Sequence, residues 1–148
     1  MNVRLATIND IESILGIIKQ AQNYFKENGI NQWQNNYPNE EIIKADIEKG
    51  VSYIVLDNDK IIGTFMSAIE EDIAYKKIYN GKWINQEEYA VIHRVAMDNE
   101  YKGKGVIAFV VAFVVEEVQK EKIASIRIDT HEENKSMRKA LEKSGFVA

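Results

Sequence analysis

The stretch from His93 to Val115 carries the residues whose types and spacing are best suited to chemistry. An apolar strand pattern leads into Lys102-Gly103-Lys104-Gly105, and a long apolar run follows. Glycine lets a backbone approach a ligand closely, and the first N–H groups of a helix have no partner within the helix. The helix dipole adds positive charge at that end, and the two lysines add formal charge. The pattern therefore predicts a site for a phosphate or a pyrophosphate.

Side chains that could transfer protons lie near the ends of the predicted strands. They are His93 and the carboxylates Glu70, Glu71 and Glu88. Histidine and carboxylates are the groups that most often act as general bases. A histidine on a central strand is more often a hydrogen-bonded core residue, so both roles stay open for His93. The neighbouring Arg94 is expected to pair with a carboxylate.

The segment from Ile30 to Tyr37 has an unusual composition for a connection between helices. It is rich in aromatic and amide side chains, namely Gln32, Trp33, Gln34 and Tyr37. One interpretation is a loop anchored by a single buried tryptophan, and the other is a wall of the substrate site. The sequence leaves both open.

The elements that must position these residues follow from the hydrophobic spacing. Residues 106–118 keep apolar positions at helical spacing although β-branched residues dominate, so a helix is expected there rather than a strand. Residues 52–69 suggest an antiparallel hairpin, and residues 72–88 have no assignment. The pattern predicts strands at 3–6, 52–56, 61–69, 89–97 and 125–129, and helices between 7 and 29, at 39–49, from 105 onward and at 134–144.

Composition excludes several classes of function. The 148-residue chain has no cysteine and two histidines, so disulfides and cysteine nucleophiles are ruled out and no metal site is expected. The net charge of −4 argues against general nucleic-acid binding, which needs a basic face. The longest apolar run is about half of what a membrane span needs, and no leader pattern begins the chain. We therefore expect one cytoplasmic domain over residues 1–148, without membrane association.

One alternative for the glycine loop is a dinucleotide-binding site. Residues 103–108 match the pattern G-x-G-x-x-A, and Asp129 follows at a suitable distance. In that fold, however, the glycines directly follow the first strand of a β-α-β unit. Here they come late in the chain, beyond a short turn and behind a predicted hairpin. The context therefore disfavours a nicotinamide cofactor.

From His93 onward the chain resembles the GNAT-type acyltransferases, which use acetyl-coenzyme A (acetyl-CoA). The similarity lies in the strand end and loop at 95–105, in Asp129-Thr130-His131 with Asn134, and in Gly145-Phe146. The spacing of these blocks is that of the family. Residues 29–38 also look like a sub-group of small bacterial members, so the resemblance extends over nearly the whole chain.

The resemblance implies an α/β (α+β) fold, with a mixed, mostly antiparallel central sheet and helices on both faces. It implies that the central strand splays from its neighbour at residues 95–97, where the backbone pairs with the pantetheine arm of the cofactor. The cofactor-binding residues implied in this way are Val95, Ala96, Met97, Lys102, Gly103, Lys104, Gly105, Val106, Ile107, Ala108 and Asn134.

The activity implied is transfer of an acetyl group from acetyl-CoA to a primary amine of a small molecule or peptide. His93 or Glu88 would act as the general base, and the backbone N–H of Val95 would stabilise the oxyanion. Trp33 and Tyr37 would contact the acceptor. Proximity of the two substrates would supply much of the remaining acceleration.

Three departures from the family pattern motivate a second hypothesis, a sensor or decayed enzyme that binds acyl-CoA without turnover. Ile107 replaces a small residue and would crowd the phosphates unless Ala108 takes over the role of the small residue. Leu141 replaces a tyrosine proposed as the general acid. The family's last strand pair would be missing after Ala148. The strand at 125–129 would then have an open edge, which either a second subunit in a homodimer covers or a shortened form leaves exposed.

Overall fold

The computed structural model describes residues 1–30, 33, 37–71, 78–79, 82–83, 88–121 and 126–128. The α-helices are α1 (Ile11–Glu27), α2 (Glu40–Glu48) and α3 (Val106–Lys120), and short 3-10 turns at Ile8–Asp10 and Asn99–Tyr101 precede α1 and α3. The strands are β1 (Asn2–Leu5), β2 (Ser52–Asp57), β3 (Lys60–Glu71), β4 (Ile78–Tyr79), β5 (Lys82–Trp83), β6 (Glu88–Met97) and β7 (Ile126–Ile128). The helix predicted at 134–144 lies outside the described residues.

The main sheet has the strand order β1-β2-β3-β6-β7. The first four strands pair antiparallel, and β7 pairs parallel to β6. A mixed, mostly antiparallel sheet and the hairpin at 52–69 are therefore confirmed. The stretch that the sequence left unassigned contains the short β4–β5 hairpin.

Helices cover both faces of this sheet, as predicted. On one face, α1 and α2 pack through Ile14, Ile18 and Ile43 against Ile54 of β2. On the other face, α3 packs against a cluster that contains Val55 of β2. Successive residues of a strand point to opposite faces of the sheet, so Ile54 and Val55 show that α1 and α2 cover one face and α3 covers the other. The catalytic candidates on β6 lie between these layers.

Helix α3 shows how tertiary packing can outweigh a strand-like composition. Its buried positions are spaced by three or four residues, whereas the small residues Ala108 and Ala112 face outward. That spacing is a helical stripe, and an alternating strand would have exposed half of these apolar residues. The predicted helix is confirmed. Among the described residues, no helix is long and apolar enough to cross a membrane.

A charged cluster fixes the start of α1 to the edge strand β1. The Arg4 guanidinium donates two hydrogen bonds to the Asp10 carboxylate, at 2.9 and 3.0 Å. The Thr7 backbone N–H and hydroxyl also donate to this carboxylate, at 2.8 and 3.1 Å. The Arg4 hydrogen bonds, helped by Thr7, hold the pKa of the buried Asp10 below its usual value although burial opposes the shift. Asp10 thus accepts a hydrogen bond from the Thr7 backbone N–H, as the third residue of a helical capping box does.

Replacing Asp10 by Asn removes hydrogen bonds between charged groups, so it is expected to lower the free energy of unfolding at neutral pH by roughly 1–2 kcal/mol. The loss is limited because Arg4 is half exposed and solvent partly screens its charge. The native pKa of Asp10 lies below its unfolded pKa, so this stabilisation is present above the unfolded pKa. It is lost as pH falls through the folded pKa. Urea unfolding at neutral and acidic pH measures the difference, which should shrink in acid.

Asp59→Asn is the matched control, because Asp59 is exposed in the turn between β2 and β3. An equal loss of stability in both variants at neutral pH would contradict a specific role for the Asp10 carboxylate.

Candidate functional site

The C-terminal half of β6 extends past the end of β7, its neighbour on one side among the described residues. Among the described residues, pairing with β7 ends where Ile92 meets Ile128. On the other edge, β6 stays paired with β3 as far as Met97. A strand edge of this kind presents N–H and C=O groups that can pair with an extended ligand. It includes residues 95–97, which the resemblance assigns to the pantetheine arm.

A β-bulge interrupts β6 at the start of this edge. One residue of β3, Phe65, lies opposite two residues of β6, Arg94 and Val95. Arg94 has φ of 50°, in the left-handed region that residues with a Cβ seldom adopt. Bulges bend a strand and re-aim the groups beside them. Val95, the predicted oxyanion donor, therefore lies within a local distortion of the sheet, next to Arg94.

The bulge also changes which face the following side chains occupy. Ile92 packs on the α3 face, and simple alternation would place Arg94 and Ala96 there too. Instead Ala96 joins the core cluster beneath α1, and Arg94 reaches α2. Without the extra residue, the guanidinium of Arg94 would point into an apolar core. The bulge is thus what lets β6 carry an arginine here.

Arg94 forms a forked ion pair with Asp46 of α2. Its Nε and Nη2 donate to the two carboxylate oxygens at 2.7 Å each, and Nη1 donates to the Tyr37 hydroxyl at 3.2 Å. The Asp46 side chain is 8% exposed and that of Arg94 15%. Burial alone would lower the pKa of Arg94, but the bonds to Asp46 and Tyr37 outweigh it and raise the pKa. The predicted carboxylate partner of Arg94 is confirmed.

The proposed general bases are far apart along β6. His93 is half-buried immediately before the bulge, and it lies on the opposite face from Ile92, which is the face covered by α1 and α2. Glu88 opposes Glu71 at the other end of the strand, about 17 Å from His93 at the usual rise per residue. The side chains of Glu71 and Glu88 lie outside the described part of the structure. His93 is therefore the candidate close to Val95, and Glu88 is remote from the bulge.

The loop after β6 has the backbone geometry of an anion cradle. Gly103 and Gly105 have φ of 76° and 81°, and a Cβ built on either would meet nothing within 4 Å. Gly105 caps α3, and the first helical bond runs from the Phe109 N–H to the Gly105 carbonyl. The N–H groups of residues 106–108 precede that bond, so they have no partner within the helix. Unpartnered donors at a helix N-terminus are suited to binding an anion such as a phosphate.

The side chain of Lys102 lies against helix α1. Its ammonium lies 3.2 Å from the centre of the Tyr24 ring, and the desolvation there lowers the pKa of Lys102. The backbone N–H of Asn99 donates to the Gln20 side chain of α1 at 2.9 Å. Helix α1 therefore helps to position the glycine loop, a contact that the sequence gave no reason to expect. A direct role of Lys102 in phosphate binding stays a prediction.

Ile107 does not obstruct the loop. Its side chain is 6% exposed and packs with Val111 against Val95, Met97 and Ile128. The expectation that it would crowd the phosphates was wrong, because the helix turns this side chain toward the sheet. The outward position in this turn belongs to Ala108, which is exposed. Ile107 instead joins α3 to the open half of β6.

The two predicted acceptor residues occupy different environments. Trp33 is partly buried against the α1 core cluster, and its ring meets Phe25 edge-on with centres 5.7 Å apart. Tyr37 is 41% exposed and touches Arg94 at the bulge. Gln22 holds this segment through hydrogen bonds to the carbonyls of Tyr37 and Pro38. Trp33 thus anchors the segment, and acceptor binding by either residue stays a prediction.

Two positions singled out in the sequence, Asn134 and Leu141, lie outside the described residues.

The structure also adds one residue to the candidate site, Asp46. Sequence reasoning did not single out Asp46, although a signal existed: it lies three residues after Ile43 and next to Ile47, on the inward stripe of a short helix. A carboxylate on such a stripe requires a partner when it is buried.

Comparison with known proteins identifies the family. The acetyltransferase (GNAT) family model matches residues 18–146. The chain belongs to the GNAT family. A comparison with curated protein sequences gives no match.

Solved structures share the GNAT fold over almost the whole chain. A GNAT-family acetyltransferase from Streptococcus agalactiae is 29% identical, with a TM-score of 0.78 over 99% of this chain and 84% of its own. A tetramutant of the BH1408 protein from Bacillus halodurans is 16% identical, with a TM-score of 0.80 over 100% and 94%. A predicted acetyltransferase from Clostridium acetobutylicum, solved with acetyl-CoA, is 17% identical, with a TM-score of 0.67 over 99% and 90%.

GNAT membership also decides between the two hypotheses for the glycine loop. β6, α3 and β7 form a parallel β-α-β unit, which a dinucleotide-binding protein would also have. A 3-10 turn at residues 99–101 separates the strand from the glycines, as their distance in the sequence suggested. The family match assigns this loop to an acetyltransferase fold.

Proposed function

We propose that the chain, as one domain over residues 1–148, is an N-acetyltransferase that acts on a primary amine of a small molecule or peptide. One juxtaposition carries the proposal: a strand edge without a partner among the described residues, a bulge and a glycine loop that begins α3 lie together within residues 93–108. Membership of an acetyltransferase family supports acetyl-CoA as the acetyl donor. The relative from Clostridium acetobutylicum, which was solved with acetyl-CoA, is consistent with this donor.

The residues that would hold acetyl-CoA supply mainly backbone groups. The N–H groups of residues 103–108 would bind the pyrophosphate, since the helix dipole and Lys104 favour an anion there. The edge of residues 95–97 would pair with the pantetheine amides. Asn134 would lie near the pantetheine or the sulfur, as the family resemblance implies. This mode of binding requires no large basic surface, which agrees with a net charge of −4.

The chemistry needed from the protein is modest. The nitrogen of a neutral amine forms a bond to the thioester carbon, and the C–S bond breaks to release the thiolate of coenzyme A. The Val95 N–H would stabilise the negative charge that develops on the carbonyl oxygen. His93 would accept the proton that the nitrogen loses, and this proton finally neutralises the thiolate. A thiol with a pKa of roughly 8.5 leaves without a strong acid, so a tyrosine at position 141 is dispensable.

Thiol release in the presence of a panel of amines tests the proposal. The chain has no cysteine, so a thiol reagent detects only the coenzyme A product. Amino sugars, polyamines, amino acids and peptides with free N-termini cover the main acceptor classes. At least one should raise thiol release clearly above the background, with the acetylated amine identified by mass spectrometry. If acetyl-CoA binds and no amine accelerates release, the non-catalytic hypothesis replaces this one.

Replacing His93 by Gln is expected to lower kcat for the best amine about 100-fold, because the variant lacks the group that removes the amine proton. The affinity for acetyl-CoA should change little, since the proposed binding groups lie on the loop and on the strand backbone. The dependence of the initial rate on pH should also differ between the variant and the wild type, because only the wild type has this base.

His131→Gln, at the chain's other histidine, is the control for this substitution. An unchanged pH profile in the His93 variant would return His93 to a purely structural role.

A further inference from the structure

Arg94 has a backbone conformation that must be held in place by its surroundings. Its φ of 50° lies in a region that non-glycine residues occupy at an energetic cost, and they do so where the neighbouring structure over-determines them. The same residue forms the bulge next to Val95. The orientation of the Val95 N–H therefore depends on what keeps Arg94 in this conformation.

The groups that hold Arg94 come from outside the sheet. Asp46 lies on α2, and its two oxygens accept hydrogen bonds of 2.7 Å from Nε and Nη2. Tyr37 lies in the segment before α2 and accepts a third hydrogen bond. A planar guanidinium bound through two parallel bonds has a fixed orientation, and burial from water strengthens both bonds.

We propose that Arg94, clamped by Asp46, is a positioning residue that holds the β6 bulge so that the Val95 N–H points at the thioester carbonyl of acetyl-CoA. This inference rests on the proposed function. Arg94 touches neither reacting atom, and it acts through the backbone of the residue that follows it. Tyr37 links the same guanidinium to the segment proposed to contact the acceptor, so the clamp connects that segment with the bulge.

A second ion pair in the same protein provides the matched comparison. Arg4 and Asp10 form the same forked contact with a buried carboxylate. Arg4 lies on β1, which is separated from β6 by two other strands, and this corresponds to about 14 Å across the sheet. Breaking either pair removes a forked arginine–carboxylate contact, although Arg4 is more exposed to solvent than Arg94. Only the loss of the Asp46 pair should disturb the carbonyl of bound acetyl-CoA.

The experiment begins with calorimetric titration of the wild-type protein with acetyl-CoA. Infrared difference spectra with a ¹³C-labelled acetyl carbonyl then report the strength of the hydrogen bond to that carbonyl. The variants are Asp46→Asn, the double variant Asp46→Asn with Arg94→Gln, and the control Asp10→Asn. The double variant leaves no unpaired buried charge, so it tests the clamp even if the single variant unfolds.

The expected result is a carbonyl band at higher frequency in both Asp46 variants than in the wild type, with the band of the Asp10 variant unchanged. With the best amine, kcat should fall at least about tenfold in both Asp46 variants, while KM for acetyl-CoA stays within about threefold. A purely structural ion pair would lower thermal stability without moving the band or the kcat of the folded protein.

Three outcomes would overturn the proposal. The carbonyl band could stay at the wild-type frequency in the Asp46 variants, or it could move equally in the Asp10 variant. Unfolding of both Asp46 variants would also overturn it, because the pair would then determine the fold rather than the position of Val95. Failure of the wild type to bind acetyl-CoA in the initial titration would instead overturn the proposed function, and this inference with it.

Discussion

Replacing Gly105 by Glu is expected to reduce the affinity for acetyl-CoA at least 100-fold, which corresponds to about 2.7 kcal/mol. Gly105 has φ of 81° and caps α3 at the loop proposed to hold the phosphates. A glutamate there would place its side chain and a negative charge against the pyrophosphate. Calorimetric titration of both proteins measures the loss.

The control for this substitution is Gly50→Glu. Gly50 also has a positive φ, of 71°, with open space around it, and it follows α2 away from the glycine loop. It therefore reproduces the backbone strain and the added charge without the predicted phosphate contact. Equal affinities for acetyl-CoA in the Gly105 variant and the wild type would mean that the phosphates bind elsewhere.

Replacing Ile107 by Ala is expected to lower the free energy of unfolding by about 2–4 kcal/mol, because it leaves a cavity in a buried cluster. Family resemblance alone gives a different expectation, namely that a small residue at this position would improve the fit of the phosphates. The structure turns the side chain toward Val95 and Met97, so the variant should not bind acetyl-CoA more tightly. Urea unfolding and titration of the folded variant measure the two quantities.

Ile69→Ala is the matched control, because it removes the same atoms from a side chain that is 47% exposed. Its unfolding free energy should change by no more than about 0.5 kcal/mol. A variant at Ile107 that kept its stability and bound acetyl-CoA tenfold more tightly would place this side chain at the phosphates.

The conformation of the glycine loop and the position of Ile107 remove one of the arguments for a decayed enzyme. Of the departures in the sequence, Ile107 is accommodated within the core, and its loop keeps two glycines in left-handed conformations. The buried Arg94–Asp46 pair lies directly beside the proposed oxyanion donor. These features favour the catalytic hypothesis, which the thiol-release experiment tests directly.

Local signals were sufficient for much of the fold and for the cofactor loop. The apolar stripe of α3, the glycines before it and the alternation in β2 and β3 each depend on residues close together in the chain. Their conformations follow from helix, strand and turn preferences that act over a few residues. For this reason the residue pattern predicted α1, α2 and α3, the hairpin and the anion cradle at the start of α3, whereas the placing of helices on both faces of the sheet came from the family resemblance.

The tertiary structure alone decided how this site is supported. Arg94 and Asp46 are 48 residues apart, and Asn99 and Gln20 are 79 apart. The bulge depends on the pairing of β3 with β6, and the inward turn of Ile107 depends on the packing of α3 against the sheet. A periodic pattern records which side of its own element a residue occupies, but not which distant side chain it meets. The sequence thus determined the family and the loop, whereas long-range packing determined the clamp on Arg94 and the position of Ile107.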